Sequence, residues 1–239
     1  MTAPIHLRPT AELAERVLLP GDPGRALLLA QDLLAEPKMF NHNRGLWGYS
    51  GIARDGEPLT VQSTGMGGPS AAIVISELAD LGATRLIRVG TCGGLDQALR
   101  LGDLLLATEA IAADGTSRAL GGGERPAATP ALLAALASAA NHGPSGAVVS
   151  TDLFYDTPAG QEERWHAAGA LAVEMEAAAL FALAARRNLQ AGCLLIVSDL
   201  VLPARRRIDA ETLREAEHRL GATALAALVA DERSRAKGP

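Results

Sequence analysis

Arg88 stands in T-R-L-I-R-V-G, a run apolar enough to be buried on both faces and ending in glycine, where open α/β sheets commonly place ligands. A guanidinium there is costly unless an anion meets it. That anion is either a carboxylate of the chain, which makes Arg88 a structural ion pair, or a bound ligand, and the residue types allow both. Two more arginines flank glycine-rich stretches: Arg25 in P-G-D-P-G-R, with Gly21 at the same junction, and Arg44 in N-H-N-R-G. Taken one at a time these are ordinary ion-pairing or solvated side chains. Taken together, three guanidiniums, the backbone N–H groups of Gly90, Thr91 and Gly93, and the Thr91 hydroxyl would hold a dianion such as phosphate.

Glu174-Met175-Glu176 is a second constellation. Neighbouring residues on a helix point about 100° apart, so two helical glutamates at this spacing would not serve one spot. One carboxylate accepts two hydrogen bonds, as a sugar diol offers, and a methionine beside it covers the sugar's apolar face. The plainer alternative is a helix N-terminus decorated with acids. A third pair, Ser198-Asp199, ends the apolar run L-L-I-V-S-D. A desolvated aspartate stays protonated and can donate a hydrogen bond or a proton, while the alternative is an N-cap for the next turn. Aromatics are scarce, which singles out Phe154 and Tyr155; Phe154 either stacks on a flat heterocycle or packs in the core. None of the five histidines has metal-ligand spacing, and His6 reads as part of a terminal tail. G-x-S-x-G, G-x-G-x-x-G and G-x-x-x-x-G-K-[ST] are absent, and Arg205, Arg206 and Arg207 read as a solvated loop face.

Alternating strand and helix patterns carry these residues. Val17–Leu19 reads as a strand, with Asp22 as N-cap and Pro23 in the first turn of the next helix. Leu46–Ala53 and Pro58–Thr64 flank Asp55-Gly56, a hairpin signal. The spacing then predicts a glycine-rich turn and a helix over Pro69–Leu81 closed by Gly82. A short strand follows, ending in a second glycine-rich turn at G-T-C-G-G. Strands are predicted over Asp103–Ala112, Ala147–Thr151 and Ala191–Leu200, and Ala170–Val173 brings the chain back to a buried position. Helices are predicted over Pro130–Asn141, from Glu174 to Arg187, and over Asp209–Glu232. Asp114–Pro130, rich in Gly and Pro, reads as a mobile loop. The end of the chain, about residues 233–239, reads as frayed.

A chain of 239 residues, 48% hydrophobic and 21% charged, is long enough for one large core, and a single domain over 1–239 is expected. A net charge of -5 with 3% aromatics gives no basic, base-stacking surface, so no nucleic-acid partner is expected. No apolar run approaches the ~20 residues a spanning helix needs and no signal-peptide core opens the chain, so no membrane partner is expected either. Two cysteines, Cys92 and Cys193, make no disulfide framework, which fits a cytoplasmic location.

In order and spacing, L-P-G-D-P-G-R-A, N-H-N-R-G, G-M-G-G-P-S, I-R-V-G-T-C-G-G, D-L-F-Y, V-E-M-E-A-A and V-S-D resemble the bacterial purine nucleoside phosphorylases of the hexameric type, from about Pro4 to Val229. The resemblance implies a three-layer α/β/α fold around a mixed, partly barrel-like sheet, assembled as a trimer of dimers. It assigns phosphate to Gly21, Arg25, Arg88 and Thr91, with Thr91 standing where the family more often has serine. Arg44 and His6 match residues that reach into a neighbouring subunit's site, to phosphate and to the ribose 5′-hydroxyl. Met66, Met175 and Glu176 match ribose contacts; Cys92, Gly93, Phe154, Val173, Glu174, Ser198 and Asp199 match the purine pocket. The implied reaction is reversible phosphorolysis, with Asp199 as the acid at purine N7, inorganic phosphate as co-substrate and no metal or organic cofactor. An arginine that assists Asp199 aligns only with a small insertion, to Arg214 first and Arg207 second. Two sister activities are weighed. Uridine phosphorylases carry a Gln-x-Arg soon after F-Y-x-G, whereas Gln161 and Arg164 here are later and differently spaced. Methylthioadenosine-type nucleosidases use water and lack the strand-end arginine.

Overall fold

The computed structural model describes residues 4–236. Ten strands occur: β1 (Arg16–Leu19), β2 (Leu34–Asn41), β3 (Gly48–Ala53), β4 (Pro58–Gln62), β5 (Arg85–Gly94), β6 (Leu104–Ala113), β7 (Ser145–Thr151), β8 (Ala170–Glu174), β9 (Gln190–Leu200) and β10 (Arg206–Arg207). The helices are α1 (Pro23–Leu33), α2 (Gly68–Asp80), α3 (Gly115–Ala119), α4 (Pro130–Ala139), α5 (Gln161–Ala167), α6 (Ala177–Arg187) and α7 (Ala210–Ala236). One mixed sheet runs β10-β9-β6-β7-β8-β5-β1-β4-β3-β2, and β9 also pairs with β5. That extra pairing closes β5, β9, β6, β7 and β8 into a ring, the barrel-like part of the sheet.

Side-chain alternation along β5 and β9 sorts the core into two layers. Leu86, Cys92, Cys193, Leu195 and Val197 pack with Ala71, Val74 and Leu78 of α2 and with Ala177–Ala184 of α6. Ile87, Val89, Leu194 and Ile196 pack instead with Leu29 of α1, Leu132 and Leu136 of α4, and Leu220 and Leu228 of α7. Helices therefore cover both faces. Arg88, in step with Leu86, points to the α2 and α6 side. Helix α6 is buried on every side from Ala177 to Ala184, as an all-apolar helix must be, and Asn188 ends it in the left-handed conformation.

Most predicted boundaries hold within a residue or two, including the Asp55-Gly56 hairpin between β3 and β4 and the Gly82 stop after α2. Four expectations change. The G-T-C-G-G run is not a turn, because β5 stays extended to Gly94, paired to β9 and β8 at once. Its glycines make room for side chains: a Cβ on Gly90 would lie 2.8 Å from the Arg88 guanidinium, and one on Gly93 would lie 2.7 Å from Val201. Within Asp114–Pro130 a short helix forms, since Asp114 is buried and caps α3 through the Ser117 N–H and hydroxyl. Helix α6 begins at Ala177, so neither Glu174 nor Glu176 is inside a helix. Finally, α7 continues to Ala236, into the stretch expected to fray, and the rest of that stretch lies outside the described residues.

Candidate active site

The strand ends of the closed ring open into a cavity of about 580 Å³. Its walls include Gly21 and Arg25 from the β1–α1 junction, Met66 from the turn before α2, and Arg88, Thr91, Cys92 and Gly93 from β5. Phe154, Val173, Glu174, Met175, Glu176, Ser198 and Asp199 complete the predicted set found there. The structure thus brings together every predicted site residue except three: His6, Arg44 and Arg214.

Arg88 is 5% exposed and meets two carboxylates. Its Nε donates to Glu174 at 2.9 Å and its Nη2 lies 2.5 Å from Glu176. Burial works against its charge, but Glu176 and Glu174 outweigh burial and hold the guanidinium above its ordinary pKa. The ion-pair reading of Arg88 is the one the structure contains, and its Nη1 has no hydrogen-bond partner among the described residues while the residue lines the cavity. Glu174, assigned to base contact by the resemblance, lines the cavity with its oxygens already engaged. Its oxygens accept from Arg88, from the Ser150 hydroxyl and from the N–H groups of Glu176 and Ala177, so this carboxylate satisfies the first turn of α6 and fixes Arg88. Glu176, the N-cap of α6, accepts from the Gly67 N–H at 2.5 Å. Burial pushes its carboxyl above the usual range against the pull of Arg88. Because Glu174 ends a strand and Glu176 precedes the helix, the 100° objection for helical neighbours does not apply, and both acids converge on one guanidinium.

Asp199 is buried beside Gly93 in the β5–β9 ladder, with Oδ2 accepting from the Ser198 hydroxyl at 2.9 Å. Oδ1 is buried and accepts no hydrogen bond among the described residues, although Arg207 Nε lies 3.1 Å away in an unaligned ion pair. A buried oxygen left without a partner is unusual and marks a place for one. Arg207, not Arg214, accompanies Asp199. The cause is register: β10 pairs antiparallel with β9, which sets Arg207 directly across from Asp199. Arg214 sits in the first turns of α7 and lines a separate depression with Asp22, Arg25 and Glu217. Nor are Arg205–Arg207 only a solvated face, since Arg205 lies 5.4 Å from the Phe154 ring centroid and lines the cavity with Arg207. Tyr155 packs edge-on against Phe154 at 4.9 Å, outside the cavity wall. Burial pushes the Cys92 thiol up, so this wall residue stays a neutral apolar contact.

His6 and Arg44 lie together elsewhere on the surface. Asn43, next to Arg44, donates to the His6 carbonyl at 2.8 Å, and Arg44 is exposed with a left-handed φ of 58°. Glu77 of α2 accepts from the backbone of Ile5, His6 and Leu7 and pairs with the His6 ring at 2.7 Å, so the terminal segment is tied down and not a free tail. Sequence reasoning missed Leu153, Trp165 and Val201, which line the cavity with apolar surface, and Glu217, which pairs with Arg25 from outside it. Scarcity of aromatics was a signal for Trp165. Glu217 carried none, being one acid among several on a long amphipathic helix.

An anion-ready guanidinium, a carboxylate suited to a diol and a strand-end acid on one ring-closed sheet fit the class of enzymes that break a glycosidic bond against an anionic acceptor. The chain belongs to the phosphorylase superfamily, whose sequence profile matches residues 15–230. It is 39% identical over 198 residues to a DeoD-type purine nucleoside phosphorylase of Alkaliphilus metalliredigens, covering 80% of this chain and 84% of that protein. It is 41% identical over 201 residues to a DeoD-type purine nucleoside phosphorylase of Geobacillus kaustophilus, covering 81% and 84%. Its fold matches a uridine phosphorylase of Vibrio fischeri with a TM-score of 0.81 at 27% identity, over 91% of this chain and 92% of that one.

Proposed function

We infer that the protein catalyses reversible phosphorolysis of purine ribonucleosides, yielding the free base and ribose 1-phosphate. The observation that carries this reading is the presence of Arg25 and Arg88 in the same cavity as Glu176 and Asp199. A hydrolytic nucleosidase needs no guanidinium there, whereas phosphate does. Along β5 the Arg88 guanidinium lies at Gly90 and the register puts Asp199 beside Gly93, three residues and so roughly 10 Å further along the strand, room for a sugar between phosphate and base. Phosphate held by Arg25, Arg88 and Thr91 lies under C1′, and its charge stabilises the oxocarbenium-like state as the bond to N9 lengthens. The electrons of that bond leave with the base while a phosphate oxygen closes on C1′. Asp199 gives its proton to N7 through Oδ1, a step typically worth ~10²–10⁴ in rate. Met66 and Met175 cover the ribose and Glu176 takes its hydroxyls. Inorganic phosphate is the co-substrate, and the chemistry assigned to these residues calls for no metal or organic cofactor.

Purine is favoured over uridine by α5. Gln161 and Arg164 hydrogen-bond each other at 2.8 Å and neither lines the cavity, which takes Glu162 and the Trp165 ring from that helix instead. A shared site is favoured by charge. Arg25 and Arg88 face Glu174, Glu176 and Glu217, so a phosphate dianion needs a further cation, and the neighbour's Arg44 supplies it, with His6 beside it. Exposed Ile5, Trp47, Met66 and Ile73 give that side of the molecule an apolar surface suited to a dimer, repeated in a trimer of dimers. No helix among the described residues is long and apolar enough to cross a membrane. Purine salvage in the cytoplasm is the role this reading assigns. Free base quantified from a panel of purine nucleosides and uridine at saturating phosphate tests the substrate class. Purine release with little from uridine is the expected result, and the reverse order overturns it.

A further inference from the structure

Arg25 enters the cavity from the first turn of α1, where its own N–H is taken by the Asp22 cap at 2.7 Å. Its side chain is 9% exposed and meets one partner, Glu217 of α7, with Nε donating to Oε1 at 2.8 Å. The hydrogen bond uses the Nε edge of the guanidinium. Nη1 and Nη2 have no hydrogen-bond partner among the described residues, and the residue lines the cavity wall. A long arginine side chain loses rotamer freedom on gripping an anion, and a partner that fixes it beforehand removes that loss from the binding step.

The placement of Glu217 is built into the packing of two helices. One turn beyond it, Gly221 faces Leu29, and a Cβ on Gly221 would come within 2.6 Å of a Leu29 methyl. One turn before Leu29 stands Arg25. The close approach at Gly221 and Leu29 thus brings Glu217 to Arg25 one turn away on each helix. His218 and Asp32 pair on the outer side of the same helices.

Resting on the phosphorolysis reading, we propose that Glu217 is a positioning residue for phosphate: it holds Arg25 by the Nε edge and presents Nη1 and Nη2 to the anion. Its carboxylate lies behind the guanidinium, so its charge is offset by the pair it forms. Through this contact α7 sets phosphate affinity without touching the nucleoside.

The test compares wild-type protein with Glu217→Ala and Glu217→Gln. Phosphate KM, nucleoside KM, kcat and Tm are measured on each. In Glu217→Ala the phosphate KM rises roughly tenfold, in line with loss of a charge-assisted contact. Nucleoside KM stays within about twofold, and Glu217→Gln, which keeps an oxygen for Nε–H, recovers most of the loss. An unchanged or lowered phosphate KM in folded Glu217→Ala overturns the proposal, the lowered value showing that Glu217 competes with phosphate for Arg25. An equal rise in both KM values also overturns it, by assigning Glu217 a general structural role. If Glu217→Ala does not fold, Glu217→Gln decides, since its near-normal phosphate KM supports the proposal only when Glu217→Asp, whose shorter reach breaks the contact, raises it. Wild-type base release that ignores phosphate overturns the phosphorolysis reading itself, a result distinct from any difference among variants.

Discussion

In the proposed reaction, Asp199 is where chemistry separates from binding. Among the described residues its Oδ1 accepts no hydrogen bond while Oδ2 is held by Ser198, so one oxygen is fixed and the other has only the Arg207 guanidinium near it. Asp199→Asn can still donate a hydrogen bond but delivers no proton. Turnover on ordinary purine nucleosides should fall by ~10²–10⁴, while a 7-methylated purine nucleoside, whose base leaves without a proton at N7, should be affected far less. Equal losses on both substrates, measured by release of base, would reduce Asp199 to a positioning group. Arg207 and Arg214 make a matching pair. Arg207→Ala should lower kcat, because the cation beside Asp199 is removed, and Arg214→Ala should leave kcat within about twofold. The opposite pattern in steady-state kinetics would restore the alignment-based choice. Sequence made the types of these residues legible but not this partnership, since a two-residue strand such as β10 has no periodicity to read and its register alone places Arg207.

Helices and strands were legible wherever a period met a stop signal: Pro69 and Gly82 bound α2, and Asp55-Gly56 turns β3 into β4. Where a glycine's purpose was space and not conformation, the reading failed, as in G-T-C-G-G, because composition does not reveal which side chain fills the vacated volume. The V-E-M-E block failed for a related reason. Charge order suited a helix N-terminus, yet Glu174 acts from the preceding strand, accepting the orphan N–H groups of α6 from outside. The N-terminal segment shows the same limit, since nothing local to I-H-L announces Glu77 seventy residues on. Burial raises the Glu77 carboxyl, but the Leu7 and His6 N–H groups, the His6 ring and Ile5 outweigh it and hold it below its ordinary value of 4.5. A carboxylate depressed on folding contributes stability above its unfolded pKa and loses it as pH falls through the folded value. The Tm advantage of wild type over Glu77→Gln should therefore be full above about pH 5.5 and shrink towards about pH 3. A difference independent of pH in thermal melts would show that Glu77 holds the segment by shape alone.

In the whole molecule, one chain gathers into the cavity the residues the proposed function assigns to base, sugar and most of the phosphate, and leaves Arg44 and His6 on a shared surface patch outside it. Two inactive proteins should therefore complement each other. Arg44→Ala and Asp199→Asn, dissociated, mixed and reassembled, should regain activity, because some sites then pair an intact Asp199 with an intact neighbouring Arg44. Arg88→Ala is a poorer partner for this test, since it strands Glu174 and Glu176 as buried charges, a change that costs about 3–5 kcal/mol of stability. Mixed assemblies that form without activity would confine each site to one chain. The central claim is that the acceptor is phosphate and not water, and it rests on Arg88 and Arg25 facing the same cavity as Asp199. Its most direct test follows base release from a purine nucleoside by phosphate-free enzyme, with and without added phosphate, while ribose 1-phosphate is quantified. The structure predicts base release only with phosphate and one ribose 1-phosphate for each base freed; equal release without phosphate, giving free ribose, would contradict it.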